Sequence, residues 1–219
     1  MKDKSEKSID STVKKLHKKA VQDGVETVWE RSDKQKPRCG FGEQGLCCHI
    51  CYMGPCRINP HGKDPQKGVC GATAEVIVAR NFARMIAGGA SAHSDHGRAA
   101  ARTLLLAARF PDSGYSIKDA AKLQKVAKVL GVEVKDRKKE EIAADVAERA
   151  LHNFGQQEGE VAFIKNAPET RQALWRQLGV SPRGIDREIV EMMHRTSVGV
   201  DNDHRNIMLQ GARTALADG

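Results

Sequence analysis

Six cysteines lie between Cys39 and Cys70, at Cys39, Cys47, Cys48, Cys51, Cys56 and Cys70, in the spacing C-x7-C-C-x2-C-x4-C-x13-C, and no other position of the 219-residue chain carries one. Thiolates are soft metal ligands, so a cluster this dense points to metal or redox chemistry. A four-iron cubane takes four thiolates, often from a C-x2-C run followed by more distant ligands. Cys48, Cys51, Cys56 and Cys70 supply that set. The glycines and prolines between them let the backbone curl and turn its N–H groups toward the sulfurs, and Pro55, directly before Cys56, is read as holding the chain extended. Cys39 and Cys47 are left over. Cys47 adjoins Cys48, so the two side chains are expected to diverge toward different sites. Two thiolates are half a cluster, and a two-fold axis is the simplest completion: a homodimer sharing a second cluster between its subunits. The competing readings are three disulfides, which suit a short secreted scaffold; a zinc ion, which commonly takes two closely spaced pairs where only Cys48 and Cys51 form one; and, for Cys39 and Cys47, two unligated thiols.

The histidines come next. His93 and His96 stand three apart and share a face of a helix, and imidazole is the side chain suited to moving protons near neutral pH. His49, inside the cysteine loop, is placed to hydrogen-bond a sulfur, and His61 in the same loop is read as solvated. His17, His152, His194 and His204 read as helix-surface residues. Met192 and Met193 read as core. The run GFGEQG over 40–45 has no preceding strand and cysteines on both sides, which argues against a phosphate loop.

Most of the chain around these residues must be helical. Asp10 or Ser11 caps a helix to Gln22, with Val13, Leu16, Ala20 and Val21 on its apolar side, and Gly24 stops it. Val25 to Glu30 adds a turn or two. Residues 33–71 hold no period and are rich in Gly, Pro and Cys; so long a loop needs something to hold it. Helices are then expected over Ala72 to Ile86 and, after Gly88-Gly89, over Ala92 to Arg109, with Leu104, Leu105 and Leu106 deep in a core. A capping-box-like start at Ser116 and Asp119 opens a helix ending at Gly131. Lys138 to Phe154 is amphipathic, with Ile142, Val146 and Leu151 on one side. Val161 to Ile164 is the one strand-like run. Pro168 to Leu178, Asp186 to Arg195 and Asp201 to Ala217 complete the set. The fold class is mainly α, a helical domain with a long cysteine-rich loop stapled by clusters. Its parts are a tail and helix over 1–32, the cluster-binding loop over 33–71 and a helical body over 72–219, one domain in all.

Composition agrees. Aromatic residues are 4% of the chain, too few for a typical β sandwich or barrel. The formal net charge is +8, yet the basic residues are spread along the chain beside acids, so no nucleic-acid partner is expected. No apolar run approaches the ~20 residues of a membrane span, and the N-terminal MKDKSEKSID has no apolar segment of a secretory signal. The expected location is the cytoplasm.

The residues RCGFGEQGLCCHICYMGPCRINPHGKDPQKGVCG over 38–71, GATAEVIVARNFARMIAGGASAHSDHGR over 71–98 and MMHRTSVGVDNDHRNIMLQGARTALADG over 192–219 resemble the N-terminal region of the anaerobic nickel–iron–sulfur carbon monoxide dehydrogenases. The resemblance implies a helical domain. It implies that Cys39 and Cys47 bind a cluster on a dimer axis, 4Fe-4S or 2Fe-2S, the seven-residue gap favouring four irons. It implies that Cys48, Cys51, Cys56 and Cys70 bind a 4Fe-4S cluster within each subunit. Both clusters would relay electrons from a nickel site, where CO and water become CO2, to a carrier such as ferredoxin. His93 would approach the nickel site and, with His96, handle protons. Two departures stand out. Ala99 and Arg102 occupy positions where several family members continue a histidine ladder. The family's nickel ligands come from α/β domains that follow the helical one, and with no cysteine after Cys70 this chain is not expected to build that site. The alternative is a stand-alone dimeric iron–sulfur carrier without CO chemistry. A hybrid-cluster enzyme is disfavoured by the Cys47-Cys48 doublet and by AHSDHGR.

Overall fold

A computed structural model of the chain describes residues 7–63 and 65–219. The first six residues of the polar tail expected over 1–11, and Asp64 of the loop, lie outside the described residues. The chain divides into two compact units at Gln44/Gly45, and the described residues are mainly helical, as the sequence predicts.

The first unit opens on α1 (Ser11–Gln22). Asp10 is its N-cap, accepting from the N–H groups of Thr12 at 2.8 Å and Val13 at 2.9 Å. The chain leaves the helix through Gly24 at φ +69°, a left-handed conformation that costs glycine nothing. The next helix, α2 (Val28–Lys34), starts later and runs longer than the turn expected over 25–30. The reason is a capping box: the Thr27 hydroxyl accepts from the first-turn backbone while Glu30 accepts from Thr27 N. His17 is half-buried, not a free surface residue, with its ring edge-on to Trp29 at 5.0 Å and Nε2 3.2 Å from Glu30. The Thr27 hydroxyl, then His17, holds the Glu30 carboxyl down at about 2. A short α3 (Gly40–Glu43) follows Cys39.

The second unit is built on α4 (Ala74–Arg109), one continuous helix where the sequence suggests two. Each of Gly88 and Gly89 costs a helix about 1 kcal/mol relative to alanine. Packing outweighs that. Val76, Arg80, Ala83, Ala87, Ala90 and Ser94 form a buried stripe at the helical period across the glycine pair. Small residues in the stripe let α8 (Ile185–Arg195) and α9 (His204–Asp218) lie close, and Met192 and Ile207 fill the core against Ala83 and Ala87. Met192 is fully buried as expected, whereas Met193 is exposed.

A second core forms where α5 (Ala120–Leu130) packs on α6 (Lys139–Gly155), through Leu123, Ala127, Leu130, Ile142, Ala143 and Val146. Asp119, not Ser116, caps α5, accepting from Lys122 N at 2.8 Å. Leu104 and Leu105 are half-buried and Leu106 is exposed, so the leucine run is not deep core: the neighbouring helices cover one side of α4 only. The expected strand over 161–164 is a 3-10 turn (Ala162–Asn166). Its leading N–H groups are taken by single acceptors, Ala162 N by Asn153 Oδ1 at 2.6 Å and Val161 N by Pro182 O at 3.0 Å, which leaves no ladder to extend. Helix α7 (Glu169–Gln177) follows it. Among the described residues no helix is long and apolar enough to cross a membrane.

A buried ionic network joins α8 and α9. Glu188, fully buried, accepts from Arg183 N at 2.8 Å, Arg183 Nε at 3.0 Å and Gln210 Nε2 at 2.9 Å. Arg183 also donates to Glu191 at 2.6 Å, and Glu191 accepts from Arg195 at 2.9 Å. Burial pushes both carboxyls up, but the guanidinium hydrogen bonds outweigh it: Glu188 ends lower than usual and Glu191 at about 2. A depressed carboxyl stabilises the fold above its unfolded pKa, roughly 4.3, and that contribution disappears as pH falls through the folded value. The midpoint of urea unfolding is therefore expected to hold between pH 7 and 5 and to fall between about pH 4.5 and 2. A midpoint that stays constant down to pH 2.5 would refute this account of the network.

Candidate metal centre

The site begins with a two-strand ribbon. β1 (Cys47–Cys48) pairs antiparallel with β2 (Cys56–Arg57), Cys47 opposite Arg57 and Cys48 opposite Cys56. Successive residues of a strand face opposite ways, so the doublet separates as its sequence predicts. Cys48 is buried in the core with Ile58, Ala72, Val76 and Ile77, and Cys47 is half-buried. Asn81 of α4 pins the ribbon, its amide donating to the carbonyls of Gly45 and Cys47, both at 2.9 Å.

Gly54 sits where the loop closes on itself. A Cβ there would lie 3.1 Å from Cys56 N, 3.2 Å from Cys48 O and 3.5 Å from Cys51 O. Three cysteine backbones thus crowd one position, where a side chain would fit only if its neighbours shifted by a few tenths of an ångström. Gly54 N donates to Cys51 O at 3.3 Å and the Gly54–Pro55 peptide is cis. Cys56 follows in the extended strand β2. The Cys70 segment meets the same fold: Val69 N–H points at Cys56 Sγ at 3.4 Å, and Gly68 N donates to Ala72 O at 2.8 Å. Arg80 reaches from α4 to within 3.8 Å of Cys70 Sγ. Burial pushes the Cys70 thiol up, but the Ala72 N–H and Arg80 outweigh it, so the net shift is downward, toward thiolate.

All six cysteines are free, so the three-disulfide framework is absent. Among the described residues no three His, Cys, Asp or Glu side chains converge on one point as they would around a single ion. A cubane asks for a different pattern, its four thiolates spread around the cluster. The Cys56 and Cys70 sulfurs have an N–H and a guanidinium aimed at them, the donors that a cluster-bound thiolate calls for.

His49 Nε2 lies 3.1 Å from Cys47 Sγ, the histidine–sulfur contact expected of this loop. Cys39, the N-cap of α3, is exposed and belongs to the first unit. His61, His152, His194 and His204 are exposed. His93 and His96 are both exposed on α4, and His93 Nδ1 lies 2.8 Å from Asp218 Oδ1 on α9. Asp95 pairs with Arg98 at 3.2 Å. Arg80, Asn81 and Asp218 are the site-adjacent residues that sequence reading passed over. A buried arginine is rare, and the one available signal was its place on the helix that starts just after Cys70.

Residues 46–219 match the family model described as Prismane/CO dehydrogenase family. The chain is 52% identical to carbon monoxide dehydrogenase 1 of Methanosarcina acetivorans, over 98% of this chain and 34% of that protein. It is 47% identical to carbon monoxide dehydrogenase 2 of Carboxydothermus hydrogenoformans, over 97% and 34%. Among solved structures it resembles the as-isolated, nickel-free carbon monoxide dehydrogenase of Thermococcus sp. AM4, with a TM-score of 0.88 and 45% identity over 97% of this chain and 34% of that one. The chain therefore spans about a third of the length of the curated relatives it matches.

Proposed function

Since the chain belongs to the Prismane/CO dehydrogenase family, we propose that it is the electron-relay part of a nickel-dependent carbon monoxide dehydrogenase, one that turns CO and water into CO2, two protons and two electrons. The observation that carries this reading is the convergence of the Cys48, Cys51 and Cys56 backbones on Gly54, with the Cys70 segment folded against Cys56. Those four cysteines hold a 4Fe-4S cluster in each subunit. Cys39 and Cys47 hold half of a second, shared across the axis of a homodimer. Bound clusters supply one-electron acceptors and donors, and the electrons leave to a ferredoxin-type carrier in the cytoplasm.

The residues around the thiols prepare the site. The Val69 N–H and Arg80 offset negative charge on the sulfurs, and Asn81 holds β1 in place. His93 and His96 carry protons. With Nδ1–H given to Asp218, the His93 ring is oriented and Nε2 is the nitrogen that takes and releases a proton.

The test is the iron, zinc and acid-labile sulfide content of the anaerobically purified chain, together with its mass in solution. A dimer with about 6 iron per chain means one four-iron cluster each plus a shared four-iron cluster, and about 5 makes the shared one a two-iron cluster. About one zinc per chain without sulfide overturns the proposal. If the intact, cluster-loaded protein that carries this chain passes no electrons from CO to a ferredoxin-type acceptor, the chain is instead a stand-alone carrier.

A further inference from the structure

Arg80 is the largest fully buried side chain among the described residues, 1% exposed, on the inner stripe of α4. Its Nη1 lies 3.8 Å from Cys70 Sγ. Its Nη2 donates to Asp201 O and to Asn202 Oδ1, both at 2.8 Å. Its Nε is buried and has no hydrogen-bond partner among the described residues. Every one of these partners is neutral or a cysteine. Asp201 offers Arg80 only its backbone carbonyl, because its carboxylate accepts from Arg195 at 2.9 Å and from Asp203 N at 2.8 Å.

A guanidinium does not deprotonate inside a protein, and a buried ion without a counter-charge is strongly disfavoured. A neutral thiol at Cys70 would leave that charge uncompensated. A cluster-bound thiolate compensates it. The cation is also rigidly held: Asp201 and Asn202 lie between α8 and α9, and Arg195, which fixes Asp201, is itself tied to Glu191.

We propose that Arg80 is a positioning residue that holds a permanent positive charge against the Cys70 side of the iron–sulfur site, favours its electron-rich state and so raises its reduction potential. The inference rests on the relay reading, because it needs a cluster on Cys70. A positive charge at a fixed distance stabilises the reduced, more negative site more than the oxidised one, and it does so with little reorganisation because the guanidinium is already in place.

The experiment is an electron-paramagnetic-resonance redox titration of the intact, anaerobically purified protein that carries this chain. The signal to follow is the one abolished by Cys70→Ala. Arg80→Gln is expected to make reduction at least about tenfold less favourable, a shift of about 59 mV to more negative potential for a one-electron couple. Arg80→Lys keeps the charge and loses the planar fork, and it is expected to stay within about threefold of the parent protein. An unmoved potential in fully iron-loaded Arg80→Gln overturns the inference. So does an equal shift in both variants, which would make charge irrelevant, and so does failure of both to take up iron, which would make Arg80 an assembly residue. A parent protein lacking iron and sulfide would instead sink the relay reading itself.

Discussion

Cys48→Ala is expected to lose about four irons and four sulfides per chain while leaving the fold standing. The substitution removes one small side chain from a well-packed position, where Cys48 sits 8% exposed among Ile58, Ala72, Val76 and Ile77. Alanine fits that space and leaves only a small void, costing on the order of 1 kcal/mol. The effect on metal is far larger. Cys48 lies opposite Cys56 in the ribbon and its carbonyl is one of three groups crowding Gly54, so no neighbouring thiol can swing into its place without moving backbone. Iron and sulfide analysis, read beside the far-ultraviolet circular dichroism spectrum, checks this. Cys39→Ala is the informative partner, because it should cost only the shared cluster, about two irons per chain. Identical iron loss in the two variants would refute the division of the six cysteines into two sites.

The second large effect concerns stability. Glu188→Ala is expected to destabilise the chain by about 1–3 kcal/mol, because it leaves the buried Gln210 amide and the Arg183 backbone N–H without their carboxylate acceptor, while the half-buried Arg183 guanidinium keeps only Glu191. Glu188 is the fully buried member of the network and the acceptor of both Arg183 and Gln210. Glu188→Gln keeps the volume and one acceptor oxygen, so its cost should be smaller. Glu188→Leu combined with Arg183→Met should recover only part of the loss, since it removes the guanidinium along with the carboxylate but still leaves the Gln210 amide and the backbone N–H at position 183 without that acceptor. Urea unfolding with a constant m-value measures each variant. A loss below about 1 kcal/mol for Glu188→Ala would mean that Gln210 and the Arg183 N–H find other acceptors or water.

These two sites differ in how far they could be read in advance. The cysteine loop was legible because thiols leave a local mark: their spacing and the Cys47-Cys48 adjacency suggest the grouping proposed above. The caps at Asp10 and Gly131 were legible for the same reason, since a helix end is decided within a few residues. The ionic network was invisible. Glu188 and Arg183 look like any charged surface pair until α9 closes over them and brings in Gln210.

The amino-acid sequence by itself determined the mainly helical class and carried the motifs that mark the family. Both are written in local runs of residues. The tertiary structure decided the rest. It carried α4 straight through Gly88-Gly89, because burying an alanine stripe outweighs two glycine penalties. It turned the expected strand over 161–164 into a 3-10 turn, because Asn153 and Pro182 took the N–H groups a ladder would use. It set Arg80 against Cys70 by way of a loop more than a hundred residues downstream. Short-range preferences are written residue by residue, whereas the choice among partners for a buried charge or a frustrated helix exists only once distant segments compete for the same space.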